Sequence, residues 1–212
     1  MDLNNRKNST IIVVIVGVVF TAIILFQYFS LSNPSTLVRK LERERELKDL
    51  QFKNDPEGPL TKEERAVFTG LNYFPVDESY RVPARLIKAA RQDTLQLMAT
   101  DGTRQAMVHV GKIEFELQGT KQQLTAYTYL EGSKAEKLFI PFTDLTSGVS
   151  TYGGGRYIDM PLSSELMIDF NTAYNPYCVY NEAYVCPIPP PENRIMLEIR
   201  AGEKMYEKPG EE

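Results

Sequence analysis

The sequence predicts a mainly β fold, an antiparallel meander that closes into a barrel or a sandwich, with an N-terminal transmembrane helix and short stalk and packing helices before it. Residues 112–118, KIEFELQ, alternate apolar with polar side chains, which is the pattern of a half-buried strand. Glycines separate such runs at hairpin-like spacings. The absence of alternating helices and strands argues against a parallel dinucleotide-binding sheet. Similar alternation occurs in residues 94–100, 104–110, 122–130 and 194–201.

Length and charge limit the class of protein. The chain has 212 residues, which is enough for one domain and an anchor. We place the globular domain at residues 59–206, followed by a polar tail at 207–212. The chain carries 24 basic and 28 acidic residues, a net charge of −4, without a basic stripe. Nucleic acid is therefore not an expected partner, because nucleic-acid binders concentrate positive charge on one face. No cofactor is predicted.

Residues 11–29, IIVVIVGVVFTAIILFQYF, contain no charged side chain and are long enough to cross a membrane as a helix. They predict a single-pass anchor after a polar tail at residues 1–10. A cleaved signal peptide is the alternative, because residues 30–32 are suited to a signal peptidase, although signal cores are usually shorter. Arg6 and Lys7 lie close to the apolar run, and this bias favours a domain on the extracytoplasmic, periplasmic side. The reversed orientation is the alternative.

A charged segment connects the predicted anchor to the domain. We interpret residues 30–58 as a solvated stalk helix and a linker, since mixed charges are typical of an exposed helix. Asn33 is placed to cap this helix and Pro34 to occupy its first turn. Thr61 and Glu64 have the spacing of a capping box, which predicts a second short helix.

Five sequence blocks carry a family resemblance. They are PFTDLTSG, TYGGGRY, DFNTAYNPYC, CPIPPPENR and AGEK, all within residues 141–204. In these blocks the chain resembles the bacterial domain-of-unknown-function family numbered sixteen eighty-four, and residues 59–85 look like the family's shorter members. Val179 departs from the family pattern, in which a small residue such as alanine is expected. The resemblance implies a family and no established reaction.

The block TYGGGRY, residues 151–157, has three glycines in a row. It lacks both the G-x-G-x-x-G spacing and the following Gly-Lys-Ser/Thr of phosphate-binding loops. We interpret it as a tight turn, or as a close approach of another backbone or a ligand, with Arg156 presented just beyond it.

Polar and aromatic side chains in the same region are candidates for binding a small polar or glycan-like ligand. Tyrosine offers an apolar face with a polar tip, and arginine offers an anchor for an anion. The alternative is that these side chains lock long loops, through bonds to the backbone or through a buried pair of Arg156 with a carboxylate. Their spacing matches no known cation loop, so no metal site is predicted. The candidates are Asp144, Tyr152, Arg156, Asp169, Asn171 and Asn175.

Cys178 and Cys186 are the only cysteines. A disulfide between them is the simplest interpretation for a domain in an oxidising compartment. A catalytic thiol and a pair of metal ligands are the alternatives. Both are disfavoured because His109 is the only histidine available as a base or a further ligand.

Three functions are compatible with these residues, and they leave open whether the chain is an enzyme. The first is a membrane-anchored domain of the cell envelope that binds a small polar ligand through the loops of Asp144, Arg156, Asp169 and Asn171. The second is a hydrolase in which Asp144 or Asp169 acts as general base. The third is a non-catalytic interaction module of the envelope.

Overall fold

The computed structural model describes residues 15–24, 35–130, 137–162 and 165–208. The chain divides into two compact units, residues 1–40 and residues 41–212. The second unit contains the whole β-sheet.

The predicted anchor at residues 11–29 is described only in part. Residues 15–24 form a helix, α1, whose side chains are exposed. The other positions of the predicted span, 11–14 and 25–29, lie outside the described residues. Within the described ranges, no helix is both long and apolar enough to cross a membrane.

Helix α2, Thr36–Asn54, differs from the predicted solvated stalk. Its side chains Leu41 and Phe52 are only 4% and 1% exposed. The ring of Phe52 meets the ring of Tyr180 edge-on, with centroids 5.0 Å apart. The charges along α2 predict an exposed helix, but these apolar side chains are sufficient to bury one face of it against the domain. Phe52 belongs to a buried cluster with Leu60, Phe68 and Tyr180.

Capping residues in the sequence predict where helix α2 and the next short helix begin. Asn33 and Pro34, the predicted start of the first, lie outside the described residues. The second is helix α3, Lys62–Val67. The hydroxyl of Thr61 accepts a hydrogen bond from the Glu64 amide at 3.2 Å, and the Glu64 carboxylate accepts one from the Thr61 amide at 2.8 Å. The predicted capping box is therefore confirmed.

Within the described ranges, seven strands form one antiparallel sheet. Their order across the sheet is β6-β5-β4-β3-β1-β7, and β2 pairs with β3 beside this path. Strands β3 to β6 follow one another as a meander, whereas β7 returns to pair with β1. The strands are β1 (Arg81–Lys88), β2 (Thr94–Met98), β3 (Arg104–Leu117), β4 (Thr120–Thr128), β5 (Lys137–Phe142), β6 (Arg156–Pro161) and β7 (Leu166–Asp169).

The two ends of this strand order meet. Tyr157 of β6 and Tyr174, which follows β7, exchange two backbone hydrogen bonds of 2.9 and 3.0 Å. Because β6 and β7 are the outermost strands of the order, this bridge joins the two edges of the sheet. The prediction of a mainly β antiparallel fold is confirmed, and the sheet has the form of a nearly closed barrel.

The main core lies inside this barrel. The side chains of Ile113, Phe115 and Leu117 in β3 are 0%, 5% and 1% exposed, as their alternation predicts. They pack against apolar side chains of the other strands, including Ile140 and Ile158. Burial of these alternate positions supplies the main driving force for closing the sheet.

Strands β4 and β5 touch at one backbone pair, Tyr127 with Phe139, and separate beyond it. The fully buried side chain of Asn193 fills the gap. Its Nδ2 donates to the carbonyls of Thr125 and Pro141 at 2.9 and 2.7 Å, and its Oδ1 accepts from the Thr125 amide at 2.7 Å. One side-chain amide therefore satisfies backbone groups that would otherwise be buried without partners.

Candidate functional site

A cleft of about 190 Å³ lies between helix α2 and the corner that follows β7. Helix α2 contributes Arg45 and Lys48, and the corner contributes Asn171 and Tyr174. Tyr73 lines it from the segment before β1. At about 30 Å³ per water molecule, the volume corresponds to a ligand of amino-acid or single-sugar size.

Arg45 is a cation of the cleft that has spare hydrogen-bonding capacity. Its Nη1 donates to the carbonyl of Phe74 at 2.9 Å, and its Nη2 donates to the carbonyl of Asn171 at 3.3 Å. Its guanidinium lies 4.4 Å above the ring of Tyr73. Nε is buried and has no hydrogen-bond partner among the described residues. Desolvation lowers the pKa of Arg45, against the attraction of Tyr73 and Glu203, so an anion in the cleft would stabilise its charge.

Glu203 supplies a fixed carboxylate at the base of the cleft. Its side chain is 1% exposed and forms an ion pair with Lys48. Its Oε2 accepts hydrogen bonds from the Tyr180 hydroxyl at 2.7 Å and from the Asn175 amide at 2.8 Å. Burial raises the pKa of Tyr180, and the neighbouring carboxylate raises it further. Glu203 is therefore fully engaged by the protein, and it holds Lys48 at the wall of the cleft.

The charges around the cleft favour a polar ligand of mixed character. Arg45 and Lys48 are cationic, whereas Glu44 and Glu203 are acidic. The tyrosine rings add apolar surface that suits the face of a sugar or a short carbon chain. Such a wall matches a ligand that combines one carboxylate with hydroxyl or amino groups better than a multiply charged anion.

Arg156, predicted as an anion anchor, lies inside the protein instead. Its side chain and that of Asp144 are 0% and 1% exposed, and the ion pair between them measures 2.9 Å. The interpretation of a buried pair that locks loops is confirmed for these two residues. Desolvation lowers the pKa of Arg156, and the Asp144 carboxylate opposes this shift. Both terminal nitrogens donate twice, to Asp144 and to the carbonyls of Ile199, Ala201 and Glu203.

Asp144 is also engaged by several protein groups, whereas Nε of Arg156 is buried and has no hydrogen-bond partner among the described residues. Besides Arg156, its carboxylate accepts hydrogen bonds from the Thr146 amide at 2.7 Å, from the Thr146 hydroxyl at 2.5 Å and from the Ile199 amide at 3.3 Å. The pair therefore joins the loop after β5 to the C-terminal segment. Neither side chain faces the cleft, so the structure gives both of them a structural role.

Gly155 explains why a small residue precedes Arg156. Its φ of +92° is strained for any residue with a side chain. A Cβ there would lie 2.5 Å from the carbonyl oxygen of Phe142 and 2.8 Å from Cγ of Pro189. The glycine-rich block is thus a close approach of two backbones, one of the two interpretations of TYGGGRY.

The other predicted residues lie in two places. Asn171 lines the cleft, and its buried amide bonds the backbone of Asp77 on both sides, accepting at 2.9 Å and donating at 2.8 Å. Asp169 ends β7, accepts from the Asn171 amide at 2.9 Å and lies 3.6 Å from Nε of Arg81. Asn175 is buried beneath the cleft, where its Nδ2 donates to the carbonyl of Lys204 at 2.8 Å. Asn171 is therefore the predicted residue that reaches this site.

Tyr152 lies apart from these residues, beside the two cysteines. It lines a second cleft, of about 390 Å³, together with Cys178. The structure carries Cys178 and Cys186 as thiols, with the Cys178 amide 3.4 Å from Sγ of Cys186. The two cysteines are neighbours but are not joined in this structure, and the disulfide between them stays a prediction. Among the described residues, no group of three or more histidine, cysteine or acidic side chains is arranged to hold a metal ion.

The structure is thus a nearly closed antiparallel barrel with a small polar cleft beside helix α2. The chain belongs to the family described as "Protein of unknown function (DUF1684)", whose model matches residues 66–204. It is also similar to an uncharacterised protein of Haloarcula marismortui, solved by solution NMR. Sequence identity is 34%, with 78% of this chain and 92% of that chain covered at a TM-score of 0.62. None of the curated proteins compared with the chain matches it.

Sequence reasoning missed the residues that form the cleft. Arg45 and Lys48 lie in a run of mixed charges, and such runs usually indicate a solvated face. Glu203 lies in the AGEK block, which pointed to the family but not to a role. Tyr73 carried no signal, because its importance comes from the guanidinium that lies above its ring.

Proposed function

We propose that the chain is a membrane-anchored domain of the cell envelope that binds a small polar ligand carrying a carboxylate. The binding site is the cleft between helix α2 and the corner after β7, and Arg45 is the anion anchor. The apolar run at residues 11–29 supports the anchor, and the basic residues before it support an extracytoplasmic domain.

One observation carries the ligand-binding proposal. Nε of Arg45 is a buried donor without a hydrogen-bond partner among the described residues, and Arg45 lines an open cleft. Leaving a buried donor unsatisfied costs about 1–3 kcal/mol. Proteins tolerate such a cost mainly where a ligand or water completes the bond. A carboxylate is the partner that suits a guanidinium geometrically.

The sequence predicted ligand contacts in the loops of Asp144, Arg156 and Asp169. We now propose that helix α2 provides them instead. The bonding capacity of Arg156 is used by protein acceptors at both terminal nitrogens, and Asp144 is equally engaged. The same engagement argues against Asp144 as the general base of a hydrolase, because a base needs access to a substrate proton. Asn171 also lines the cleft, but its side-chain amide is used by Asp77 and Asp169, so we assign it the role of positioning Arg45 through its backbone carbonyl.

Calorimetric titration of the full chain in detergent tests this function with a matched pair of sugars. Galacturonate carries a carboxylate, and galactose is its neutral counterpart. We expect galacturonate to bind more tightly than galactose, and Arg45→Gln to weaken galacturonate binding by about 10- to 100-fold, the value of a charged hydrogen bond. Arg85→Gln, on the exposed Arg85–Glu114 pair, is the control and should leave binding unchanged.

The same titration contains the outcomes that would contradict the proposal. Failure of galacturonate to bind the wild-type chain would overturn it, and so would equal affinity of wild type and Arg45→Gln. Arg45→Lys keeps the positive charge but not the planar guanidinium. If this variant also binds galacturonate more weakly than wild type, the geometry of the guanidinium, and not its charge alone, anchors the ligand.

The membrane placement needs a separate test. After alkaline washing of membranes, we expect the full chain to stay in the membrane fraction, and a chain lacking residues 11–29 to be released. Proteolysis from outside, with the outer permeability barrier opened, should cut the domain while a cytoplasmic marker survives. Protection of the domain under these conditions would show the reversed orientation.

A further inference from the structure

The two cysteines form a local arrangement that ligand binding at Arg45 does not involve. Cys178 and Cys186 are neighbours, and the Cys178 amide lies 3.4 Å from Sγ of Cys186. The Cys186 amide donates to the Thr100 hydroxyl at 3.1 Å, and the Cys186 carbonyl accepts from the Thr100 amide at 3.0 Å. The cysteine at the buried side is therefore fixed to the segment that follows β2.

The two sulfurs differ in their access to solvent. Cys178 is partly exposed and lines the cleft of about 390 Å³, whereas Cys186 is 7% exposed. Tyr152 lines the same cleft as Cys178. A molecule that enters the cleft meets Cys178 first, with Cys186 behind it.

We infer that Cys178 and Cys186 form a reversible dithiol–disulfide site that exchanges with low-molecular-weight disulfides entering this cleft. In the first step, the thiolate of Cys178 attacks one sulfur of the incoming disulfide. A mixed disulfide forms, the incoming S–S bond breaks and one small thiol leaves. In the second step, the thiolate of Cys186 attacks Sγ of Cys178 and expels the second small thiol. The pair is oxidised by two electrons, the small disulfide is reduced, and its two thiols take up the two protons.

The structure supports reversibility in addition to bond formation. The hydrogen bond with Cys186 raises the pKa of the Cys178 thiol, and burial adds to this shift, so the attacking thiolate forms more readily as pH rises and exchange should be faster in alkali. Interactions that favour the reduced pair make the corresponding disulfide easier to reduce. The fixed proximity of the two sulfurs acts in the opposite sense, because it makes closure of the ring an intramolecular step. A pair with both features exchanges in either direction as the surrounding thiol pool changes.

A redox titration of the full chain in detergent tests the inference. The chain is equilibrated in buffers that range from excess oxidised to excess reduced glutathione, quenched with acid and measured by intact mass. We expect a single transition between the dithiol and a form lighter by two hydrogens, reached from both directions. A disulfide that persists in excess reduced glutathione would overturn reversibility, and a dithiol that persists in excess oxidised glutathione would overturn the site itself.

Two serine variants test the order of the steps. In Cys186→Ser the resolving thiol is missing, so Cys178 should accumulate a stable mixed disulfide with glutathione. In Cys178→Ser the remaining thiol is buried, so modification should be at least about tenfold slower, in line with the dependence of thiol reactivity on exposure. Near-ultraviolet circular dichroism checks that both variants are folded. Faster modification of Cys186 than of Cys178 would overturn the assignment of Cys178 as the entry sulfur.

Discussion

Arg156 and Asp144 form an ion pair of 2.9 Å in which both side chains are buried. The two residues lie 12 positions apart, and each also bonds backbone groups of the C-terminal segment. A buried charge is tolerated only when it is paired and hydrogen-bonded. The pair therefore acts as a clamp that fixes the last part of the domain to the barrel.

Removal of one partner of this clamp should destabilise the protein strongly. We expect Arg156→Met to lower the free energy of unfolding by about 3–5 kcal/mol, because it leaves the Asp144 carboxylate buried without its partner. The double variant with Asp144→Leu should lose less than the sum of the two single variants. Urea unfolding followed by tyrosine fluorescence measures this, since the chain has 12 tyrosines and no tryptophan.

Arg85→Gln is the control for the clamp. Arg85 and Glu114 form an ion pair of 2.7 Å, but their side chains are 75% and 35% exposed. Exposed pairs contribute little, so this variant should unfold close to wild type. If Arg156→Met and Arg85→Gln were equally stable, burial of the Arg156 pair would have no energetic consequence and the clamp would be refuted.

Substitutions at two glycines of the same block should differ sharply. Gly155→Ala should destabilise the protein by about 2 kcal/mol or more, because its φ of +92° is strained and the new Cβ would meet the Phe142 carbonyl. Gly153→Ala is the matched comparison, since the nearest atom to a Cβ there is 3.6 Å away. Thermal unfolding of both variants measures the difference. Equal melting temperatures would contradict the close approach seen at Gly155.

Buried tyrosines should make the protein unstable in alkali. Burial raises the pKa of Tyr174 and of Tyr180, so the folded chain keeps protons that the unfolded chain releases above about pH 10. Their stabilising contribution is complete below that pH and is lost as pH rises above it. Each such tyrosine should steepen the fall in unfolding free energy by up to about 1.4 kcal/mol per pH unit.

Tyr180→Phe distinguishes this linkage from general alkaline damage. The variant loses the hydrogen bond to Glu203, so it should start less stable than wild type at neutral pH. Above about pH 10 its stability should fall less steeply, because one titrating group is missing. Urea unfolding at several pH values gives both quantities. A slope equal to that of wild type would show that Tyr180 ionises equally easily in both states.

The parts of the fold that depend on local pattern were predictable. Alternation placed Ile113, Phe115 and Leu117 inside the barrel, and spacing identified the capping box of Thr61 and Glu64. Both signals arise from neighbouring residues, so a single sequence contains them. Burial of Phe52 was not predictable in this way, because its partner Tyr180 is far away in the chain.

The cleft could not be predicted for the same reason, since residues that are distant in the sequence form it. Arg45 contacts the carbonyl of Asn171, 126 positions later, and Lys48 pairs with Glu203, 155 positions later. Contacts of such separation leave no periodic trace in the sequence. The five sequence blocks that carry the family resemblance did indicate important residues. However, a buried structural ion pair such as that of Arg156 requires the same residue types as a ligand-binding site. The structural role and the ligand-binding role can be told apart only by the groups that surround each side chain in the folded protein.

The way in which Asn193 joins β4 to β5 has a consequence for synthesis of the chain. Strand β4 ends at Thr128, yet its backbone group at Thr125 stays without a partner until Asn193 has been added. The guanidinium of Arg156 likewise lacks its backbone acceptors until residues 199–203 have been synthesised. A nascent chain that stops before these positions exposes half-made strands and an unpaired charge. Closure of this barrel therefore requires the segment from Asn193 to Glu203, and the strands before it cannot complete their bonds without that segment.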